Sequence, residues 1–158
     1  RPRYPTRSWS ASPRPWRLIT TDRALNYLGL MRRAGRLEVG ETATGYAIRD
    51  GKARIVCIAA DASEDAVKRA RGWLEGRRAL YIELPYTKEQ LSEALGKSGC
   101  SMLACTDFGL ASAFLNALAE VRPERYSQLA GEMSRRSEKA AYRKAKGPKR
   151  KPGRETHE

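Results

Sequence analysis

Three short apolar runs, each followed by a pattern that starts a helix, constrain the fold of this chain more than any other feature. The runs are "ARIVCIAAD", "ALYIELP" and "CSMLACT", which begin at residues 53, 79 and 100. Apolar runs of this length with β-branched residues are typical of strands buried on both faces. Because polar segments of helical length separate them, the sequence predicts an α/β protein: a three-layer α/β/α sandwich around a small sheet, mixed or parallel.

Two further helices are predicted before the first apolar run. One begins after the Thr-Asp pair at residues 21–22, has apolar residues at helical spacing and ends at Gly35. Residues 37–39 predict a short strand, after which Gly40 opens a second helix that Gly51 closes.

Capping patterns predict where the remaining helices start. The sequences "DASE" at residues 61–64 and "TKEQ" at residues 87–90 have the spacing of capping boxes. The helices that they start are predicted to end near Gly76 and Gly96. Asp107 is the predicted cap of a last helix in this part of the chain, whose apolar stripe comprises Leu110, Phe114, Leu115 and Leu118.

The net charge of +13 is concentrated at the two ends of the chain. Residues 1–17 contain five Arg and no acid, and residues 122–158 contain twelve Lys or Arg against five acids, whereas residues 18–121 contain fourteen against thirteen. We therefore predict a nearly neutral domain at residues 18–121 between two basic tails. Basic tails indicate a polyanionic partner, most often nucleic acid, and they also fit a role in solubility alone.

The tails are predicted to add contacts to RNA rather than to the core. Residues 1–17 are rich in Pro, Arg and Ser and predict disorder. Residues 124–146 are weakly amphipathic and strongly basic, which predicts a loose helix that orders on RNA, followed by a disordered end. The chain does not begin with Met, which leaves open a longer natural chain or a different gene start.

The sequence lacks the patterns of metal, redox and nucleotide sites. Cys57, Cys100 and Cys105 lie in apolar segments without CxxC spacing, which indicates reduced core cysteines, and the one histidine, His157, lies in the C-terminal tail. Neither a Walker loop nor a dinucleotide fingerprint occurs. We therefore predict no cofactor and no metal.

Enzymatic activity is not predicted either. Without a histidine in the core, Ser/His and Cys/His nucleophile schemes are excluded. Acid–base catalysis by a carboxylate pair, such as Glu64 with Asp65, stays open as an alternative. These acids lie near predicted helix starts, however, where a negative charge stabilises the helix dipole. No run of eighteen apolar residues and no signal pattern occurs, which predicts a cytoplasmic protein without a membrane partner.

Three segments of the chain also resemble a known family, both in their residues and in their order. They are "LGLMRRAGRLEVGETATGYAIRDGKARIVCIAADAS", "YTKEQLSEALGK" and "TDFGLASAFL". In this order they resemble the kink-turn RNA-binding ribosomal protein family of the L-seven-Ae and L-thirty-e type, above all its bacterial YlxQ-like branch. The resemblance covers about residues 23–118 and implies an α/β/α sandwich that binds a sharply bent RNA internal loop.

The resemblance implies an RNA-binding surface at residues 40–46 and 95–101. A helix N-terminus presents unpaired N–H groups and a positive dipole end to phosphate, so the physics agrees. Where RNA-reading members of the family carry Asn, Glu and Lys, this sequence has Thr42, Ala43 and Tyr46. The predicted RNA-binding residues are Arg32, Arg33, Arg36, Gly40, Glu41, Thr42, Ala43, Tyr46, Leu95, Gly96, Lys97 and Ser98.

Several functions stay open at this point. The leading prediction is a non-enzymatic, monomeric RNA-binding protein, associated with the ribosome, that recognises structured, kink-turn-like RNA. The alternative is a protein-interaction module on the same fold, with non-specific RNA contacts from the tails. A third hypothesis is a substrate-binding domain for an RNA-modifying activity, which requires a separate catalytic domain. Each residue also has a structural interpretation, such as Tyr46 packing its ring on the helix surface.

Overall fold

A computed structural model describes residues 22–147 of the chain. The predictions for residues 1–17 and for the end after Gly147 lie outside the described residues. Within residues 22–147 no helix is long and apolar enough to cross a membrane. The elements of this range are α1 (Arg23–Arg33), β1 (Leu37–Val39), α2 (Glu41–Arg49), β2 (Ile55–Ile58), α3 (Glu64–Leu74), β3 (Leu80–Glu83), α4 (Lys88–Leu95), β4 (Met102–Cys105), α5 (Phe108–Val121) and α6 (Pro123–Lys146).

The strands form one sheet in the order β1-β4-β2-β3. β2 and β3 are parallel, whereas β4 runs antiparallel to both β1 and β2, so the sheet is mixed. One end of the sheet is marked by Cys105, which is paired with Leu37 on one side and Ile55 on the other, and we call it the Cys105 end. Met102 and Ile58 are paired at the other, which we call the Met102 end.

Helices cover both faces of the sheet. Along β2, Ile55 and Cys57 face one apolar layer while Val56 and Ile58 face the other, as the two-residue period of a strand requires. The first layer also contains buried residues of α1, α4, α5 and α6, and the second contains those of α2 and α3. These two layers on a mixed sheet confirm the predicted three-layer sandwich.

Most of the predicted helix caps are confirmed. The Asp22 carboxylate accepts hydrogen bonds from two N–H groups at the start of α1. Thr87 and Gln90 form both bonds of a capping box at the start of α4. The Asp107 carboxylate caps α5 by accepting from the N–H of Leu110. Local side-chain chemistry therefore fixes where these three helices begin.

The capping box predicted at residues 61–64 is wrong. The cap of α3 is Ser63, whose hydroxyl accepts from the N–H of Ala66 at 3.1 Å. The Asp61 carboxylate instead accepts from the N–H of Lys88 at 2.8 Å. Asp61 lies two residues outside the cap position, so it ties the start of α3 to the start of α4 instead of capping its own helix.

α6 packs more closely than its sequence predicted. Tyr126, Ala130 and Met133, which recur at helical spacing, are buried in the same apolar layer as α5. The Tyr126 hydroxyl donates to the carbonyl of Glu83 at the end of β3. The sequence predicted a loose helix because only a few apolar positions are buried and charged residues surround them. The first half of α6 therefore belongs to the folded core, and a domain limit after residue 121 would separate it from that core.

The three cysteines are buried and free, as predicted. Burial raises the pKa of the Cys57 thiol well above its ordinary value and that of Cys105 to about 11. The two thiols are therefore protonated at neutral pH.

Candidate nucleic-acid interface

α2 begins at a backbone conformation that requires glycine. Gly40 has φ 99° and ψ 163°, a region that residues with a Cβ atom essentially do not adopt. Its N–H donates to the carbonyl of Met102 at 2.8 Å, which fixes the start of α2 to the first residue of β4. No side chain of the described residues caps α2. The N–H groups of Glu41, Thr42 and Ala43 in the first turn are therefore available to a ligand.

The loop after α4 lies against this helix start. A Cβ atom on Gly40 would be 4.0 Å from the carbonyl oxygen of Gly99. The loop is anchored from below by Cys100, a buried residue whose thiol donates to the carbonyl of Lys97 at 3.0 Å. The structure thus brings Gly99 of this loop to the start of α2, so the two segments of the predicted surface meet there.

Arg32 joins this loop from the end of α1. Its guanidinium donates to the carbonyl of Leu95, the last residue of α4. Burial raises the pKa of the Cys100 thiol, and the nearby charges of Lys97 and Arg32 oppose that shift, so both cations lie close to the loop. The side chain of Leu95 is buried in the core. Leu95 can therefore contribute to a surface only through its backbone.

Glu41 is held by a partner that sequence reasoning missed. Arg69 of α3 forms two hydrogen bonds with its carboxylate, at 2.9 and 3.1 Å. The hydrogen bond and the charge of Glu41 raise the pKa of Arg69. A carboxylate beside a helix N-terminus would repel a phosphate, and Arg69 offsets that repulsion. No local sequence signal links two residues that lie 28 positions apart in different helices.

One of the predicted cations, Arg36, does not lie with Gly40. The carbonyl of Arg36 accepts from the N–H of Thr106 at 3.0 Å, which places Arg36 at the Cys105 end of the sheet. The extended strand β1 separates it from Gly40 by about 13 Å at the usual rise per residue. The Arg33 guanidinium lies back along α1, 3.5 Å from where a Cβ of Gly29 would be. Arg33 nevertheless lines the same groove as Arg32, Leu95 and Gly96. Arg36 is therefore the predicted cation that the structure separates from the others.

Tyr46 lies one turn into α2 at the edge of a groove between α2 and α3. Its side chain is 55% exposed, and the Arg49 guanidinium lies 4.5 Å from the centroid of its ring. The Trp73 ring forms part of the same groove, 3.2 Å from where a Cβ of Gly45 would be. Sequence reasoning missed both Arg49 and Trp73. Aromatic rings and guanidinium groups in such a groove can stack on a base or pack against a protein.

The assembled surface presents backbone donors flanked by cations. We call it the α2 surface, and its members are Arg32, Gly40, Glu41, Thr42, Ala43, Arg69 and residues 96–99. Its chemistry suits an anion held by N–H groups and side-chain charges. No group of His, Cys, Asp and Glu within residues 22–147 has the arrangement of a metal site.

Proteins of similar sequence carry RNA binding in their names. An "RNA-binding protein YlxQ" of Enterococcus faecium is 35% identical over 79 residues, which are 48% of this chain and 72% of that protein. The chain belongs to the YlxQ family. An "RNA-binding protein YlxQ" of Bacillus subtilis (strain 168) is 30% identical over 95 residues, 58% of this chain and 90% of that protein. No protein-family model matches the chain.

Solved structures share the fold of this YlxQ-family chain. A protein with unknown function from Bacillus halodurans C superposes with a TM-score of 0.56 at 22% identity, over 61% of this chain and 96% of that chain. The Giardia lamblia 15.5kD RNA binding protein superposes with a TM-score of 0.52 at 19% identity, over 75% and 98%. At these identities the likeness shows the fold alone. The resemblance to the YlxQ-like branch is confirmed by the curated relatives.

Proposed function

We propose that this YlxQ-family chain binds structured RNA of the kink-turn kind at the α2 surface, without enzymatic activity and in association with the ribosome. The names of its relatives support RNA as the ligand. The approach of Gly40 to Gly99 carries the proposal for the site, because it joins an uncapped helix start to the loop that the resemblance implies.

The α2 surface offers two kinds of contact to a bent RNA. The first-turn N–H groups and the cations Arg32 and Lys97 suit phosphate oxygens, which a sharp bend crowds together. The exposed hydroxyl of Thr42 suits the edge of an unstacked base. Arg69 neutralises Glu41, so the acid in the first turn does not oppose the ligand.

The protein-interaction module remains a second candidate because of Tyr46. Where RNA-reading family members carry Lys, this chain exposes a tyrosine beside the groove that Trp73 lines. Such amphipathic rings are enriched in protein interfaces. Under this alternative, the α2 surface has no preference for bent RNA.

A single acidic substitution separates the two candidates. We expect Thr42→Glu to weaken binding of the full chain to a kink-turn RNA by about 1 kcal/mol, roughly fivefold in Kd, because the carboxylate competes for the helix N-terminus and repels phosphate. The same change favours the helix itself, so a loss of folding would not explain the result. Fluorescence anisotropy with a kink-turn RNA and a plain duplex of equal length, at low and moderate salt, measures both affinities.

Ser127→Glu is the matched control, since Ser127 is exposed on α6 and lies outside the α2 surface. It makes the same change in net charge and is expected to leave the preference for the kink-turn unaltered. The opposite result is that the unsubstituted chain binds both RNAs with equal affinity and that both affinities fall as salt is added. The α2 surface then does not distinguish a kink-turn from a duplex, and the protein-interaction module is the better conclusion.

A further inference from the structure

A strongly basic groove lies at the Cys105 end of the sheet, away from the α2 surface. It is lined by the residues that lead into β2 and β3, by Phe108 at the start of α5 and by residues 132–143 of α6, and its volume is about 540 Å³. We call it the α6 groove. The cations that line it are Arg54, Arg78, Arg135, Arg136, Lys139 and Arg143.

The positive charge of the α6 groove is largely uncompensated. Glu132 is the one acid among its lining residues, and it is paired with Arg135 at 2.6 Å and Arg136 at 2.8 Å. Six cations against one acid leave a net charge of +5 in the groove. Lys139 and Arg143 form no ion pair with another residue of the described range. Mutual repulsion of this kind costs stability unless an anion binds.

Several contacts hold the groove in shape without an anion. Arg136 Nη1 donates to the carbonyl of Arg78 at 2.6 Å, which ties α6 to the chain before β3. The Arg54 guanidinium lies 4.4 Å from the centroid of the Phe108 ring. Its Nε is buried and has no hydrogen-bond partner among the described residues. That nitrogen is enclosed, so the cations of the groove that are open to a ligand are the exposed ones of α6, Arg135, Lys139 and Arg143.

We propose that the α6 groove binds the phosphate backbone of a second RNA segment, independently of its sequence. Guanidinium groups match the geometry of phosphate oxygens and form paired hydrogen bonds with them. The one aromatic ring that lines the groove, Phe108, lies beneath Arg54, so the groove presents charge rather than an apolar anchor for a membrane. The choice of RNA as the source of the phosphates rests on the proposed function.

The two surfaces lie at opposite ends of one strand. The N–H of Gly40 donates to the carbonyl of Met102, the first residue of β4, and the N–H of Arg54 donates to that of Cys105, the last. The two surfaces therefore share no residue and lie at opposite ends of the sheet. The chain can hold a bent RNA element and a neighbouring helix, or two separate RNA molecules, at the same time.

The double variant Lys139→Gln/Arg143→Gln tests the groove in the full chain. Both residues lie on α6 one turn apart, and glutamine preserves helix propensity, so α6 remains folded. We expect the affinity for a plain RNA duplex at about 50 mM salt to fall by about tenfold. The slope of log Kd against log salt concentration should decrease by about 1.5, because two phosphate contacts are lost. The preference for a kink-turn RNA over a duplex should persist.

Lys68→Gln/Lys88→Gln is the matched control, since both residues are exposed and neither lines the α6 groove. The control removes the same charge and is expected to lose much less duplex affinity. If the groove variant keeps the affinity and salt slope of the unsubstituted chain, or the control loses as much, the proposal is overturned. A competition with vesicles of equal parts phosphatidylglycerol and phosphatidylcholine tests lipid phosphate as the ligand instead. If the vesicles displace the duplex from the unsubstituted chain but not from the groove variant, the groove binds lipid and the proposal is overturned.

Failure of the proposed function has a different signature. In that case the unsubstituted chain shows no preference for the kink-turn RNA, while the groove variant still loses duplex affinity relative to its control. That result supports the α6 groove and contradicts only the α2 surface. Because every variant retains both ends of the chain, contacts made by residues 1–21 and 148–158 are common to all of them.

Discussion

Thr44 is fully buried, and its Oγ1 has no hydrogen-bond partner within residues 22–147. An unpaired buried hydroxyl costs about 1–3 kcal/mol. Thr44→Val keeps the shape and replaces the hydroxyl by a methyl group, so we expect the free energy of unfolding to rise by about 1 kcal/mol. Urea unfolding of the full chain measures the change. Thr42→Val, at an exposed position of the same helix, should change it by less than about 0.5 kcal/mol; equal effects would contradict the argument.

At the scale of single residues, the sequence predicted those parts of the candidate site that depend on backbone chemistry. The sequence predicted that Gly40 opens a helix and that another helix ends near Gly96, and both glycines have a positive φ in the structure. Side chains that meet across elements could not be predicted. Arg69 reaches Glu41 from another helix, and no local pattern predicts that contact. The position of Arg36 was predictable, because the predicted strand at residues 37–39 already separates it from Gly40.

At the scale of elements, docking of α6 is the feature that most affects stability. Met133 is fully buried between α6 and the core, so we expect Met133→Ala to lower the free energy of unfolding by about 3 kcal/mol through lost burial and a residual cavity. Met133→Leu, which conserves volume, should cost less than about 1.5 kcal/mol. Thermal unfolding of the full chain distinguishes the two. A Met133→Ala variant as stable as the parent would mean that α6 is not packed on the core.

The elements that the sequence predicted best are those with a local start signal and a continuous apolar run. β2 and β4 contain four buried residues each, so burial on both faces produced an unbroken pattern, and side-chain caps indicated α1, α4 and α5. α6 has no side-chain cap and exposes most of its charged residues. Its attachment depends on a tertiary contact, from Tyr126 to the end of β3, that no local pattern encodes.

At the scale of the whole molecule, the cysteines report on global opening. Cys57, Cys100 and Cys105 are almost completely buried, and burial raises the pKa of each thiol. Their thiols stay protonated in the folded chain at pH 8, whereas an unfolded thiol titrates near 8.5. We expect a thiol reagent to modify all three slowly and at one common rate at pH 8, and immediately in urea. Fast modification of one thiol in the native protein would show that the fold opens locally.

The same raised thiol pKa values give stability a pH dependence. Above about pH 8.5 the unfolded chain releases protons that the folded chain retains, so the free energy of unfolding falls as pH rises toward 11.

The paired register of β1 and β4 leaves no hinge between the α2 surface and the Cys105 end of the sheet. Under the proposed function, a change in the angle between these two ends therefore has to come from the RNA. If the chain binds bent RNA as proposed, recognition is conformational selection: the protein would bind the RNA molecules that already have the bent form, and the apparent affinity would scale with their fraction. Any partner that straightens the RNA would compete with the protein without touching it.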